Sequence, residues 1–258
     1  MTNPSPVIER FGNGKDVVLF LHGWGQSVTS LTSLAEILAD RAQGKLTCLV
    51  TEFPGFGTTP IPDGVWGLNE YCEWVHSILV SEGIKSAAVV GHSFGGKVAV
   101  ALSAKHKNLI KKLVLIGASG LRPRISFRKA IRNRFISLLR SLLKRVDSLF
   151  GTALFRTWFV PRFASRDYLQ SGLMKDIFVK TVNQSVEGEA SSVTAQTLLL
   201  WGERDEESPL SVGERFRSLM SNARLVVLPH RGHFPFEGAG AHLCALYIHQ
   251  LLCGREEA

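Results

Sequence analysis

Apolar positions along the chain fall into short unbroken runs rather than alternating with polar ones. DVVLFLHG (16–23), LTCLVTEFPG (46–55), SAAVVGH (86–92), KLVLIGAS (112–119), QTLLLWG (196–202) and ARLVVLP (223–229) are rich in β-branched and aliphatic residues, and each ends near glycine or proline. Runs of this length without alternation predict strands buried on both faces. Between the early runs the apolar spacing changes to three and four. LTSLAEILAD is one such stretch; LNEYCEWVHSILVSEG is another, with Leu68, Tyr71, Cys72, Val75 and Leu79 on one face; the segment 94–105 is a third. Strands alternating with helices predict an α/β fold, a mostly parallel central sheet flanked by helices.

The alternation stops at Leu121 and resumes at about Ala195. No strand pattern lies between, and the stretch is too long for an ordinary loop. The expected organisation is a core formed by residues 1–120 and 196–258, interrupted by a helical insertion over 121–195. A chain of 258 residues, 45% hydrophobic, suffices for one such domain.

Charge singles out the insertion. The chain carries a net charge of +8, yet residues 121–166 alone hold twelve Lys and Arg against one acid, Asp147. Within them ISFRKAIRNRFISLLRSLLKRVDSLF places Ile131, Phe135, Leu138, Leu142, Val146 and Leu149 at helical spacing, predicting a basic amphipathic helix. One reading turns its apolar face toward an active site and its charges to water. The other rests it on an anionic membrane or uses it to receive an anionic substrate. No nucleic-acid reader motif accompanies the charge, so no nucleic-acid partner is expected. The second half of the insertion is aromatic, and Trp158, Phe159, Phe163 and Phe178 are candidate contacts for an apolar substrate group.

Cys48, Cys72, Cys244 and Cys253 form no CxxC pair and have no histidine at zinc-ligand spacing, so neither a disulfide framework nor a metal or cofactor is expected. The residues that open the chain lack a basic start followed by an apolar run, and no span of eighteen residues is apolar and uncharged. A reducing, cytoplasmic setting is the expectation.

VVGHSFGGKVAV (89–100) puts Ser93 between Gly91 and Gly95, where a buried strand is predicted to meet a helix. That context gives a GxSxG match its meaning: a strained turn projects the serine oxygen above the sheet edge. The competing reading is a glycine-rich turn in which Ser93 caps the helix. A serine hydroxyl is a poor nucleophile unless a base takes its proton and an acid orients that base. HRGHFPFEG (230–238) follows the last predicted strand and offers His230 and His233; Gly232 before His233, with Phe234 and Pro235 after it, favour His233. WGERDEESP (201–209) offers Glu203, Asp205, Glu206 and Glu207, of which Asp205 is the short acid placed to turn back over the sheet. In HGWG (22–25) the Trp24 N–H, with the Phe94 N–H, would form an oxyanion hole. His92 and Phe234, beside the candidate nucleophile and base, are further candidate substrate contacts.

With Ser93, Asp205 and His233 in that order, HGWG before them and FPGFG (53–57) after the second long run, the chain resembles the α/β-hydrolase superfamily over nearly its whole length. It is most similar to capped serine esterases, including the carboxylesterase of biotin synthesis, and to meta-cleavage-product hydrolases. The resemblance implies that the insertion is a cap and that the activity is hydrolysis of small to medium carboxylic esters. Cleavage of a carbon–carbon bond in a ring-fission product is the alternative, and a non-catalytic small-molecule binding protein on the same fold is an alternative of another class. A serine at position 93 departs from dehalogenases and epoxide hydrolases, which carry aspartate there. Glu52 stands where aspartate is usual, and Thr58 and Thr59 follow GFG in place of a small residue and serine.

Overall fold

The computed structural model describes residues 4–122, 127–163 and 165–254, the side chains of 127–131, 133 and 166 excepted. Among them seven strands form one sheet: β1 (Val7–Phe11), β2 (Asp16–Leu21), β3 (Leu46–Glu52), β4 (Ala87–His92), β5 (Ile110–Ile116), β6 (Gln196–Gly202) and β7 (Ala223–Leu228). Their order is β1-β3-β2-β4-β5-β6-β7, with β1 antiparallel to β3 and every other pair parallel.

The unbroken apolar runs reflect burial on both faces. Val18, Phe20, Val50, Val90, Val114, Ile116, Leu198 and Leu200 join one core cluster with Leu31, Leu34 and Leu38 of α1 (Thr29–Arg41) and Cys244, Ala245 and Ile248 of α10 (Gly240–Cys253). The intervening residues Leu19, Val89, Leu113, Leu115, Leu199 and Trp201 are equally buried. The helices α2 (Leu68–Ser81), α3 (Phe94–Lys105) and α9 (Leu210–Leu219) supply Val75, Val98 and Phe216 to the interior. Strand β1 has no counterpart in the apolar pattern. It is a short edge strand carrying Glu9 and Arg10, and its place comes from pairing with β3, Val7 opposite Glu52 and Phe11 opposite Cys48.

The chain divides into two compact units, Met1–Pro123 with Lys180–Ala258, and Arg124–Val179. The second is shorter than the 121–195 insertion expected above because residues 180–195 pack with the first. Gln184 Oε1 accepts the Leu68 N–H at 2.7 Å, the Val186 N–H donates to Gly120 O at 3.0 Å, and α8 (Glu187–Ser192) lies against α3 and α9.

The second unit contains α4 (Phe127–Phe150), a π-helical turn (Phe155–Phe159), α5 (Val160–Phe163), α6 (Arg166–Gln170) and the start of α7 (Lys175–Asn183). Asp147 joins the first two: its carboxylate accepts from Thr152 Oγ1 at 2.6 Å and from the N–H groups of Leu154 and Phe155 at 2.8 Å each. Phe155 stacks on Phe159, and Phe159 lies 4.8 Å from Phe163, centroid to centroid. Along the apolar stripe of α4, Phe135, Leu138, Leu142 and Leu149 are 58–77% exposed. Ile131, placed in the same stripe by spacing, lies outside the described side chains. Among the described residues no helix is long and apolar enough to cross a membrane.

Candidate active site

Ser93 occupies the junction of β4 and α3 with φ 48° and ψ −111°, a conformation that L-residues hold only when their surroundings impose it. Here the backbone is tied on both sides. The Ser93 N–H donates to Ile116 O at 3.0 Å, and its carbonyl accepts the Lys97 and Ser119 N–H groups at 3.1 and 3.0 Å. A side chain at Gly95 would come within 2.1 Å of the Leu21 carbonyl oxygen, so glycine there lets α3 start against the end of β2. The Ser93 side chain makes no capping hydrogen bond, which removes the reading of Ser93 as a helix cap. Phe94 opens α3, and its N–H, like those of any first turn, has no acceptor within the helix.

Asp205 and His233 follow β6 and β7, neighbouring strands whose carboxyl ends lie on the same side of the sheet as that of β4. Their side chains meet at 2.8 Å, Asp205 Oδ2 to His233 Nδ1, and both residues are buried. The other Asp205 oxygen accepts the N–H groups of Glu207 at 3.0 Å and Ser208 at 2.8 Å, which fixes the carboxylate plane. A carboxylate only accepts, so Nδ1 carries the proton and Nε2 of the neutral ring is left as the acceptor. Gly117, at φ 50° after β5, makes room: a Cβ there would lie 2.9 Å from Asp205 Oδ2 and 3.2 Å from His233 Nδ1.

His92, expected as a substrate contact, is instead buried, and its Nε2 donates to the His233 carbonyl at 2.9 Å. It links the residue preceding Ser93 to the loop carrying His233, whose ring is 4.7 Å away, centroid to centroid. Burial lowers its pKa to about 3, helped by the nearby His233 and opposed by the hydrogen bond to that carbonyl. His22 is a second buried neutral imidazole: Nδ1 donates to Gly23 O at 2.7 Å, and Nε2 accepts the Phe53 N–H at 3.0 Å. Burial lowers its pKa to about 4 against its hydrogen bond to Gly23.

These two rings predict acid sensitivity. An unfolded histidine titrates near 6.5, so between that value and the lower folded one the unfolded chain binds more protons. The stability contributed is complete above about pH 6.5 and is lost as pH falls toward the folded values, about 2 kcal/mol per histidine between pH 7 and pH 5. Thermal melts across that range should lose several degrees on this account, and His22→Asn should melt lower at pH 7 but with a flatter fall. Equal slopes for the two proteins would show that His22 does not drive the loss.

Trp24 is half-buried and meets the rings of Phe56 and Phe94 edge-on at 4.9 and 5.5 Å. Phe234 lies 5.2 Å from the rings of both His92 and His233. The turn after β3 explains its unusual residues. One Glu52 oxygen accepts the N–H and hydroxyl of Thr58, at 2.7 and 3.2 Å, and those of Thr59, at 3.0 and 3.1 Å. Burial would raise the carboxyl pKa, but these bonds and one from Val28 N–H outweigh it and hold the pKa below its ordinary value. The two threonines thus supply hydroxyl donors for the longer acid.

The other candidate base is placed differently. His230 is exposed, with Nδ1 3.0 Å from an Arg204 nitrogen and its N–H donating to Glu203. Trp158, Phe159, Phe163 and Phe178 belong to the second unit, where Trp158 contacts Phe163 and Phe178 contacts Tyr168. Glu207, another of the acids in WGERDEESP, is exposed yet reaches His233: its Oε2 is 3.4 Å from Nε2. A carboxylate there attracts the ring only in its doubly protonated form. Away from Ser93, Cys72 Sγ, a Glu73 oxygen and a His106 ring nitrogen lie within 4.8 Å of one another, but the Glu73 carboxylate already binds the Lys105 ammonium.

The chain is 24% identical to the 2-hydroxy-6-oxononadienedioate/2-hydroxy-6-oxononatrienedioate hydrolase of Klebsiella pneumoniae, across 86% of this chain and 82% of that protein. Among solved structures it is similar to a membrane phospholipase A, a bacterial virulence factor, at 22% identity and TM-score 0.72, covering 99% of this chain and 87% of the other. It is also similar to a thermophilic esterase from Thermogutta terrifontis, at 20% identity and TM-score 0.67, covering 97% and 93%. At such identities the solved structures establish a common fold. The model of the alpha/beta hydrolase family matches residues 18–243, and the chain belongs to that family.

Proposed function

We propose that the chain is a serine hydrolase that cleaves small to medium carboxylic esters through an acyl-enzyme on Ser93. The observation that carries this reading is the strained Ser93 at the end of β4, linked through His92 to a buried His233–Asp205 pair. Ser93 Oγ attacks the ester carbonyl while its proton passes to His233 Nε2. Asp205, at Nδ1, holds the ring and stabilises the imidazolium. The N–H groups of Trp24 and Phe94 receive the oxyanion, a role worth about 3 kcal/mol per donor. The alcohol leaves with the proton from His233. Water, deprotonated by the same nitrogen, then releases the acid and restores Ser93. Phe234 and Trp24, rings close to this centre, favour an apolar acyl group.

A second reading, carbon–carbon cleavage of an anionic ring-fission product, draws support from the Klebsiella relative and from the basic stretch 121–166. A fluorophosphonate probe followed by peptide mass spectrometry should place the adduct on Ser93, and turnover of a p-nitrophenyl ester should exceed that of a coloured dienoate. Faster turnover of the dienoate would favour the second reading. A folded protein that takes no label would leave the binding-protein alternative.

A further inference from the structure

We infer that α4 is a docking surface for anionic lipid bilayers. The helix carries one broad apolar arc: Phe135, Leu138, Leu142 and Leu149, spaced by three, four and seven, form a stripe that is 58–77% exposed, and Val146, Leu139 and Leu143, half-buried, continue it round the helix. At 3.6 residues per turn, Arg134 and Arg145 border that stripe on one side, and Arg132 lies past Val146 and Leu139 on the other. All three are exposed, and among the described residues none is in an ion pair.

The helix has seven cations and one acid, and that acid, Asp147, is turned to the N–H groups of Leu154 and Phe155 and the hydroxyl of Thr152. With seven cations against one acid the helix carries a net charge of +6. A large exposed apolar stripe bordered by arginines matches one environment in both respects: anionic headgroups for the guanidinium groups and acyl chains for the phenyl and leucyl side chains. A soluble anion would leave the stripe in water, and a neutral surface would leave the arginines without partners. The inference does not depend on the chemistry at Ser93.

Co-sedimentation of the full chain with vesicles tests it. Binding is expected to vesicles of phosphatidylcholine containing about one third phosphatidylglycerol, not to phosphatidylcholine alone, and should be reversed by high salt. The variant Arg132→Gln, Arg134→Gln, Arg145→Gln should partition on the order of a hundredfold more weakly. Phe135→Ser with Leu142→Ser should weaken binding at least about tenfold while leaving its salt dependence. Both variants should keep the wild-type far-ultraviolet circular dichroism and the wild-type rate on a water-soluble ester, so that loss of docking is separated from loss of hydrolysis. Equal pelleting with both vesicle types, full retention by the triple arginine variant, or binding to duplex DNA without binding to vesicles would each overturn the inference.

Discussion

Replacing Ser93 by alanine is expected to reduce kcat for a p-nitrophenyl ester by about 10⁶-fold with little change in melting temperature. The two halves of that expectation come from different parts of the structure. Activity is expected to collapse because alanine lacks the hydroxyl that the proposed mechanism uses as its nucleophile. Stability persists because the Ser93 side chain makes no capping bond, and because the strained backbone is held by Ile116, Lys97 and Ser119 through main-chain groups that alanine retains. Alanine also tolerates the positive φ no worse than serine does. A variant that keeps even a hundredth of the activity would remove Ser93 from the reaction. One that loses activity by unfolding would instead show a lowered melting temperature.

The second large effect is expected at Asp205, where asparagine should lower kcat by about 10⁴-fold without displacing a single heavy atom. The reasoning rests on which hydrogen bonds are fixed. Oδ1 accepts two backbone N–H groups, from Glu207 and Ser208, and neither can be reversed. The asparagine carbonyl must therefore take that position, which places the amide NH₂ opposite His233 Nδ1. Facing a donor, Nδ1 has to become the acceptor, and the ring proton moves to Nε2. His233 would then present a proton to Ser93 where it should receive one. Asp205→Ala mixes this effect with two unpaired buried donors, so asparagine is the cleaner substitution. Turnover within tenfold of the wild type, with binding of a non-hydrolysable amide analogue unchanged, would show that Asp205 is not the orienting acid.

The parts of the site that the sequence displays are those set by local chain geometry. Ser93, Asp205 and His233 each sit just past a run whose strand character is intrinsic, so their placement follows from the sheet. The structure adds what depends on packing between distant segments. His92 looks like a substrate contact when judged by its distance from Ser93 along the chain, yet its ring is claimed by a carbonyl 141 residues away. Glu207 looks like one solvated acid among several until the turn fixed by Asp205 aims it at His233. Strand β1 has too few apolar positions to register as a pattern, since an edge strand buries only part of itself. The spacing of the α4 stripe marks a helix face, but periodicity reports that a face is apolar and is silent on what covers it.

The bond between His92 and the His233 carbonyl also bears on when the site comes into being. A chain is made and begins to fold from its N-terminus, so β4 and its serine emerge well before β6 and β7 exist. During that interval His92 has no His233 carbonyl to engage and, on the proposed mechanism, Asp205 would have no ring to orient and Ser93 no base. Chemistry that needs all three switches on only when the last strand docks. Turnover of a chromogenic ester could therefore serve as a clock for the final step of folding.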